Sequence, residues 1–394
     1  MATSSQDIIN KLPHTLKDMV QEHVRVTGAD YSTSLSIALT VFGGVLGRDK
    51  IRFFVSKVSE ENSKYLGRDN YFDHDPLLHT CVVLDSPGND TRNACLSYFL
   101  KPLGDSSIID WDFDGRGTTS LKEAISAYLQ DAKKAVEKGE KPSGKIVVSR
   151  WNKFPFGRRQ GDARLVKHII EEHISLEEEM FPWVTSKGRY IKSNHEKSKF
   201  IRNNNLRPAF AFLTEFSLLD SNWLLYSQSN QASVERAYLL HSFNWCYFEY
   251  KERYQCVEDF SEEVLDEWKQ FLQKAQDYEG SKFCGDEGYC KAFDEWQGFF
   301  CDRARRLRLE RDEERATYWI IQRIKIHVFA LLLHLAKQFD DPNGFSSPDA
   351  YVVTKESFEL ATLICEDFYR NRNLCFEKMT EAARKTKEER YEYL

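Results

Sequence analysis

The sequence has no apolar run approaching the roughly 18 residues of a membrane span, and its first ten residues lack the charged start and apolar core of an export signal. Neither membrane insertion nor secretion is expected. Glycine and proline are sparse, 19 and 10 in 394 residues, which excludes collagenous and low-complexity chains. Neither charge sign dominates: 55 Lys and Arg face 61 Asp and Glu, a net charge of −6, so the chain is not coated all over for nucleic acid. Paired cysteine spacing is missing too. The nine cysteines (81, 95, 246, 256, 284, 290, 301, 365 and 375) are odd in number and scattered through apolar stretches, which predicts reduced thiols in an intracellular protein, cytoplasmic or nuclear. What remains is 41% hydrophobic and 13% aromatic residues, enough for a sizeable ring-rich core.

Periodicity divides the chain in two. Leu12, Leu16, Met19, Val20 and His23 recur at helical spacing. Ser32 or Ser34 is placed to cap a second helix ending near Gly43-Gly44. Strand patterns follow at Ile51 to Val58, Thr80 to Asp85, Lys145 to Ser149, Ala209 to Phe216 and Ala237 to Tyr250, with helices near Asn93 to Leu100 and Leu121 to Glu137. Asp110 to Gly117 reads as a turn. Beyond Ser261 the spacing is helical: Val264, Trp268, Phe271 and Ala275, then Ala316 to Gln338, then Phe358 to Met379. The expectation is an α/β domain over 1–255 and an all-helical C-terminal region over 256–394.

The strand at Thr80 to Asp85 leads into Ser86-Pro-Gly-Asn-Asp90-Thr-Arg92 and a helix. A phosphate loop has this frame, but it needs glycines that let backbone N–H groups close on the anion, a Lys for the β and γ phosphates and a Ser or Thr for Mg²⁺. In register, Asp85 and Asp90 stand where glycines belong, Thr91 where the Lys belongs and Arg92 where the hydroxyl belongs. Two carboxylates beside a triphosphate repel it. Pro87, Gly88, Thr91 and Arg92 are therefore the remnant of an anion site.

The order Leu35-Ser-Ile-Ala-Leu, Leu46-Gly-Arg48, Val82-Val-Leu-Asp-Ser-Pro-Gly and Leu100-Lys-Pro102-Leu resembles the uncharacterised P-loop ATPase-like family associated with primase-helicases of phages and mobile elements. Trp319-Ile-Ile-Gln-Arg323 to Ala336 and Val352 to Arg370 resemble its C-terminal helices. The resemblance implies a RecA-like P-loop fold, here with degenerate Walker motifs, and a replication or mobile-element context. It also implies a homo-oligomer, since such ATPases often form rings. The family's acidic pair has its nearest match at Thr214-Glu215, with Thr214 in place of the Asp, unless that strand is a later one.

A second tract interleaves cations with rings: Arg150, Trp151, Lys153, Phe154, Phe156, Arg158 and Arg159. Cations neutralise phosphates and rings stack bases, so the tract is suited to single-stranded nucleic acid. It opens a stretch, 150–207, with 13 Lys and Arg against 7 Asp and Glu, so the acidic average conceals a basic middle. Metal motifs are weak. Asp110-Trp-Asp112-Phe-Asp114-Gly115 begins like a calcium loop but has Leu121 at the twelfth position. Cys284, Cys290 and Cys301 lack zinc spacing and, with Gly285 and Gly288, suggest a loop. No metal is expected, and the arginines between Arg303 and Arg315 are expected to pair with neighbouring acids.

The leading expectation is a non-hydrolysing, degenerate P-loop protein that binds nucleic acid or a partner protein without a cofactor. The alternative is an active NTPase that uses ATP and Mg²⁺, with Arg92 replacing the Lys and Glu215 polarising water. A third reading is a structural subunit without nucleic-acid affinity.

Overall fold

The computed structural model describes residues 5–47, 51–55, 73–74, 76–85, 96–104, 107–111, 131, 134–135, 137–139, 144–151, 210–218, 242–249 and 259–392. After a short α1 (Ser5–Ile9), α2 (His14–Thr27) begins behind Pro13 and ends at Gly28, whose left-handed φ of 70° suits glycine at a helix terminus. The next helix, α3 (Tyr31–Leu46), is buried at every position from Ser32 onward, as an apolar helix without a polar face must be. Its cap is Asp30, which accepts from Thr33 N at 2.9 Å. The expected caps serve elsewhere: Ser34 Oγ meets His23 Nδ1 at 2.8 Å and Ser32 donates to Asp367. The helix ends at Leu46, near Gly43-Gly44 as expected. These glycines let it touch its neighbours, since a Cβ on Gly44 would lie 2.8 Å from Ala211 Cβ and one on Gly43 2.1 Å from Pro76 O.

The sheet under α3 has five parallel strands: β3 (Thr80–Leu84), β4 (Ile108–Trp111), β5 (Lys145–Trp151), β6 (Phe210–Ser217) and β7 (Asn244–Phe248). Their spatial order is β4-β5-β6-β3-β7. All five residues of β3 and of β7 are buried, as in a parallel sheet covered on both faces. Asp110 and Trp111 belong to β4 and not to a turn, and the rest of that motif, 112–121, lies outside the described residues. β4 is an edge strand, Asp110 pairing with Val148 on one side.

The C-terminal part contains α4 (Glu262–Asp277), α5 (Glu287–Leu309), α6 (Glu313–Asp340) and α7 (Lys355–Glu392). It is predominantly helical, but not exclusively. Ser281–Gly285 forms β8, with Phe283 fully buried, where glycine and acidic neighbours suggested a loop; Val352–Val353 forms β9. Together with β1 (Ile51–Phe54) and β2 (Asp73–His74) they make a second sheet, ordered β2-β1-β8-β9. The N-terminal β1 therefore bonds directly to the C-terminal β8, and one apolar core runs from Ile8 to Phe368. The division expected at 255/256 falls outside the described residues.

The arginine-rich stretch is split by a turn at Arg311, whose φ is +61°. Arg305 and Arg315 pair as expected with Asp302 and Asp312, at 3.5 and 3.4 Å. Arg303 instead bonds Glu366 at 2.8 Å and lies 4.1 Å over the Trp319 ring, joining α5 to α6 and α7. His327 and His334 are core residues: Tyr289 Oη meets His327 Nδ1 at 2.6 Å, and His334 Nε2 donates to Ala350 O at 2.8 Å.

α7 also closes the open edge of β7. Asn371 Oδ1 accepts from Tyr247 N at 3.2 Å, and its Nδ2 donates to Asp30 Oδ1 at 3.1 Å. Replacing Asn371 with Ala leaves the buried edge amide of Tyr247 without this partner and removes one bond to the Asp30 carboxylate. The expected loss is about 1–3 kcal/mol in urea unfolding, and a loss within error would mean that water replaces the amide freely.

Candidate functional site: the carboxyl edge of the parallel sheet

In open α/β sheets, ligands bind beyond the carboxyl ends of the strands, at the point where neighbouring connections leave in opposite directions. Here that point lies between β3 and β6. The chain leaves β3 for β4 at one edge of the sheet, whereas from β6 it passes β3 to reach β7 at the other. The register places Leu84 beside Ser217 and Trp151 beside Phe216, so β3, β6 and β5 end nearly level.

Two sequence tracts leave from this edge. The altered phosphate loop follows β3, and the chain is helical again at 96–100. The basic aromatic tract follows β5, of which Arg150 and Trp151 are the last two residues, so the strand runs two residues beyond its expected end at Ser149. Only β6 separates the two strands, which places their carboxyl ends two strand spacings apart, about 10 Å. Pro87, Gly88, Thr91, Arg92, Lys153, Arg158 and Arg159 lie outside the described residues.

Two candidates meet in the sheet itself. Arg150 and Glu215 are register partners, and Glu215 is flanked on its other side by Val82, which pairs in turn with Cys246. Glu215 is 2% exposed and sits two residues before the end of β6. A carboxylate there is part of the sheet interior and not of its rim. The rim residue after β3 is Asp85, half-buried, whose amide donates to Phe248 O at 3.1 Å. The hydroxyl of Tyr247 donates to the Asp85 carboxylate. Burial first, and then the negative charges of Asp85 and Glu249, push the Tyr247 hydroxyl well above its ordinary pKa, so it stays a donor. Asp85 is thus held in place as a negative charge at the entrance to the altered loop.

The histidine and cysteine candidates do not assemble. His74 belongs to β2, whereas His79 Nδ1 accepts from Phe212 N at 3.3 Å and lies between the rings of Phe212 and Phe243. Cys284 is on β8; Cys290, whose thiol donates to Val55 O at 3.2 Å, and Cys301 are on α5. The seven described cysteines are all free thiols. Among the described residues, one group has metal-ligand geometry: His14, Asp18 and Glu267. It is solvent-facing, and His14 already pairs with Asp18 at 2.9 Å.

Sequence reasoning also missed a buried polar row between α6, α7 and β7. Lys325 is 8% exposed and donates to Asn244 Oδ1 at 3.1 Å, next to a fully buried Gln322 and close to the buried Arg372. The signal was present: Gln322 and Lys325 interrupt an apolar helical run, and Arg372 stands four residues from both Phe368 and Phe376. Among the described residues no helix is long and apolar enough to cross a membrane. No family model and no curated protein matches this chain.

Proposed function

We propose that the chain is a RecA-like α/β protein that keeps the frame of a P-loop ATPase without its hydrolytic residues, and that it binds single-stranded nucleic acid at the carboxyl edge of its parallel sheet. The observation that carries this reading is the juxtaposition there of the altered phosphate loop, after β3, and the basic aromatic tract, after β5. The strand order supports it, because RecA-like cores also place the first strand of the sheet between the fourth and the fifth. Three features oppose hydrolysis: Asp85 faces the loop entrance as a fixed anion, Thr91 stands where the phosphate-clamping Lys belongs, and Glu215 is enclosed within the sheet. The mobile-element primase-helicase context rests on the sequence resemblance alone.

The test measures binding of a labelled single strand over a salt series, together with phosphate release from ATP and Mg²⁺. Affinity is expected to fall steeply with salt, and Arg158→Ala with Arg159→Ala to reduce the log–log slope by about 1.4, two phosphate contacts at about 0.7 each. No phosphate release is expected with or without the strand. Release that the strand stimulates and Arg92→Ala abolishes would establish the active NTPase instead. Absence of nucleic-acid affinity would leave a structural subunit that docks a partner protein.

A further inference from the structure

We infer that the corner formed by the ends of β3 and β7 repels phosphate and confines the single strand to the β5 side of the carboxyl edge, a refinement that rests on the nucleic-acid reading above and adds to it a path and a short footprint.

The corner begins with α3. Ser36 Oγ and Thr40 Oγ1 each meet Thr80 Oγ1 at 2.7 Å, at the start of β3, whereas Thr33 Oγ1 lies 3.5 Å from Tyr247 O, near the end of β7. α3 therefore runs antiparallel to the strands and brings its N-terminus to their carboxyl edge. A helix N-terminus at that edge is where α/β proteins commonly seat a phosphate. Here the chain's own carboxylate takes the place. Asp30 accepts from Thr33 N at 2.9 Å and from Thr33 Oγ1 at 2.6 Å, with Asn371 Nδ2 as a further donor at 3.1 Å.

Two more carboxylates stand at the strand ends. Leu84 and Phe248 are register partners, so Asp85 and Glu249, one residue further along each strand, are neighbours across the edge. Asp85 is half-buried and fixed by the Tyr247 hydroxyl; Glu249 is exposed. Of the cations that α7 brings to this corner, Arg370 bonds Asp367 at 2.9 Å and Lys378 Nζ lies 6.0 Å from the centre of the Tyr247 ring. The segments that follow the two strands add no net charge: 86–95 holds one Asp and one Arg, and 250–258 holds two Glu against one Lys and one Arg.

The β5 end of the edge has the opposite sign, since Arg150 and Trp151 open the stretch with 13 Lys and Arg against 7 Asp and Glu. In the order β4-β5-β6-β3-β7, the end of β5 is about 10 Å from that of β3 and about 14 Å from that of β7. The screening length at physiological salt is about 8 Å. Phosphates over β5 therefore lie beyond the reach of Asp85 and Glu249, whereas phosphates over β3 or β7 lie within it. A triphosphate centred on the loop after β3 meets the repulsion in full, and a strand escapes it by lying over β5. The same corner thus favours a polymer over a mononucleotide.

The experiment measures binding of labelled deoxythymidine oligomers of about 4 to 16 nucleotides to the full chain at about 0.15 M salt. Wild-type affinity is expected to level off at a shorter length than that of the double variant Asp85→Asn with Glu249→Gln. The double variant should bind the longest oligomer about tenfold more tightly than the wild type and the shortest within about twofold. Asp85→Glu, which keeps the charge, should retain the wild-type length profile, and so should Glu295→Gln, which alters an exposed acid of α5. Parallel length profiles for the wild type and the double variant would overturn the confinement alone. So would a neutral-type profile for Asp85→Glu, because the effect would then come from packing and not from charge. Absence of wild-type binding at every length would overturn the nucleic-acid reading and the confinement with it.

Discussion

Gly43→Ala is expected to cost about 3 kcal/mol or more and to leave little folded protein at 37 °C, a loss at the upper end of what one added methyl group produces. The new Cβ would fall 2.1 Å from Pro76 O and 3.2 Å from Pro76 C. The obstacle is main chain, so no rotamer change relieves it; either α3 or the segment entering β3 must shift. α3 cannot shift locally, since Gly44 rests on Ala211 and Ile146 and a Cβ on Gly144 would lie 2.0 Å from Gly44 O. Gly298→Ala is the matched control. It lies on the exposed face of α5 with nothing within 4 Å of the added carbon, and should stabilise by about 0.5–1 kcal/mol through helix propensity and unfolded-chain entropy. Urea unfolding of the two variants checks both. If Gly43→Ala unfolds at the wild-type midpoint, the close approach of α3 to residue 76 is wrong.

Lys325→Met is expected to stabilise the protein below pH 7 and to lose that advantage as the pH rises. Burial, with a smaller contribution from the Arg372 charge, pushes the Lys325 amine down to about 7 against the opposing effect of the Cys365 and Cys246 thiols. Between about pH 7 and 10.4 the unfolded chain holds this proton and the native protein does not, so the Lys325 contribution to stability rises with pH, by up to about 1.4 kcal/mol per unit. Below pH 7 both states hold the proton and the cost of burying the charge is fully present. Methionine removes that cost but leaves Asn244 Oδ1 without its donor, a loss of about 1–3 kcal/mol. The net gain near pH 6 is then about 2 kcal/mol. Buried thiols contribute in the opposite direction: Cys81, pushed up to about 12, stabilises below about pH 8.5, and that stability is lost as the unfolded chain ionises at higher pH. That loss is common to both proteins. The readout is therefore the difference between their pH profiles in phosphate-free buffer, and parallel profiles would mean that Lys325 is charged and solvated in the native state.

Strands were legible in the sequence where a parallel sheet buries both faces. Cys81 to Leu84 and Ile146 to Val148 are unbroken apolar runs with few other solutions. Long helices were equally legible, because Val264, Trp268, Phe271 and Ala275 repeat at one period over several turns. Short elements were not. β4 carries an Asp and a Trp at a sheet edge, and β8 carries Lys and Gly; both depend on partners far away in sequence. The α3 cap was misread because Asp30 precedes a run of Ser and Thr that compete for the same role. At the site, the position of Glu215 within its strand followed from pattern, but its place beside Arg150 did not, since no local signal encodes strand order. The polar row of Gln322, Lys325 and Arg372 was visible only as interruptions in apolar stripes, which also occur on solvated helix faces.

The bonding of β1 to β8 has a consequence for how the protein is made. Ile51 emerges from the ribosome more than two hundred residues before its partner Ser281, and β9, which completes that sheet, comes later still. At ordinary synthesis rates of about 5–20 residues per second, β1 waits on the order of ten seconds or more with its partner edge unsatisfied. A nascent chain in that state offers an open strand beside an apolar α3, the kind of surface that chaperones cover and that neighbouring chains invade. The helices beyond residue 261 are therefore more than an appendage to the sheet: until that part of the chain is synthesised, β1 lacks β8, and α2 lacks α4, on which it packs.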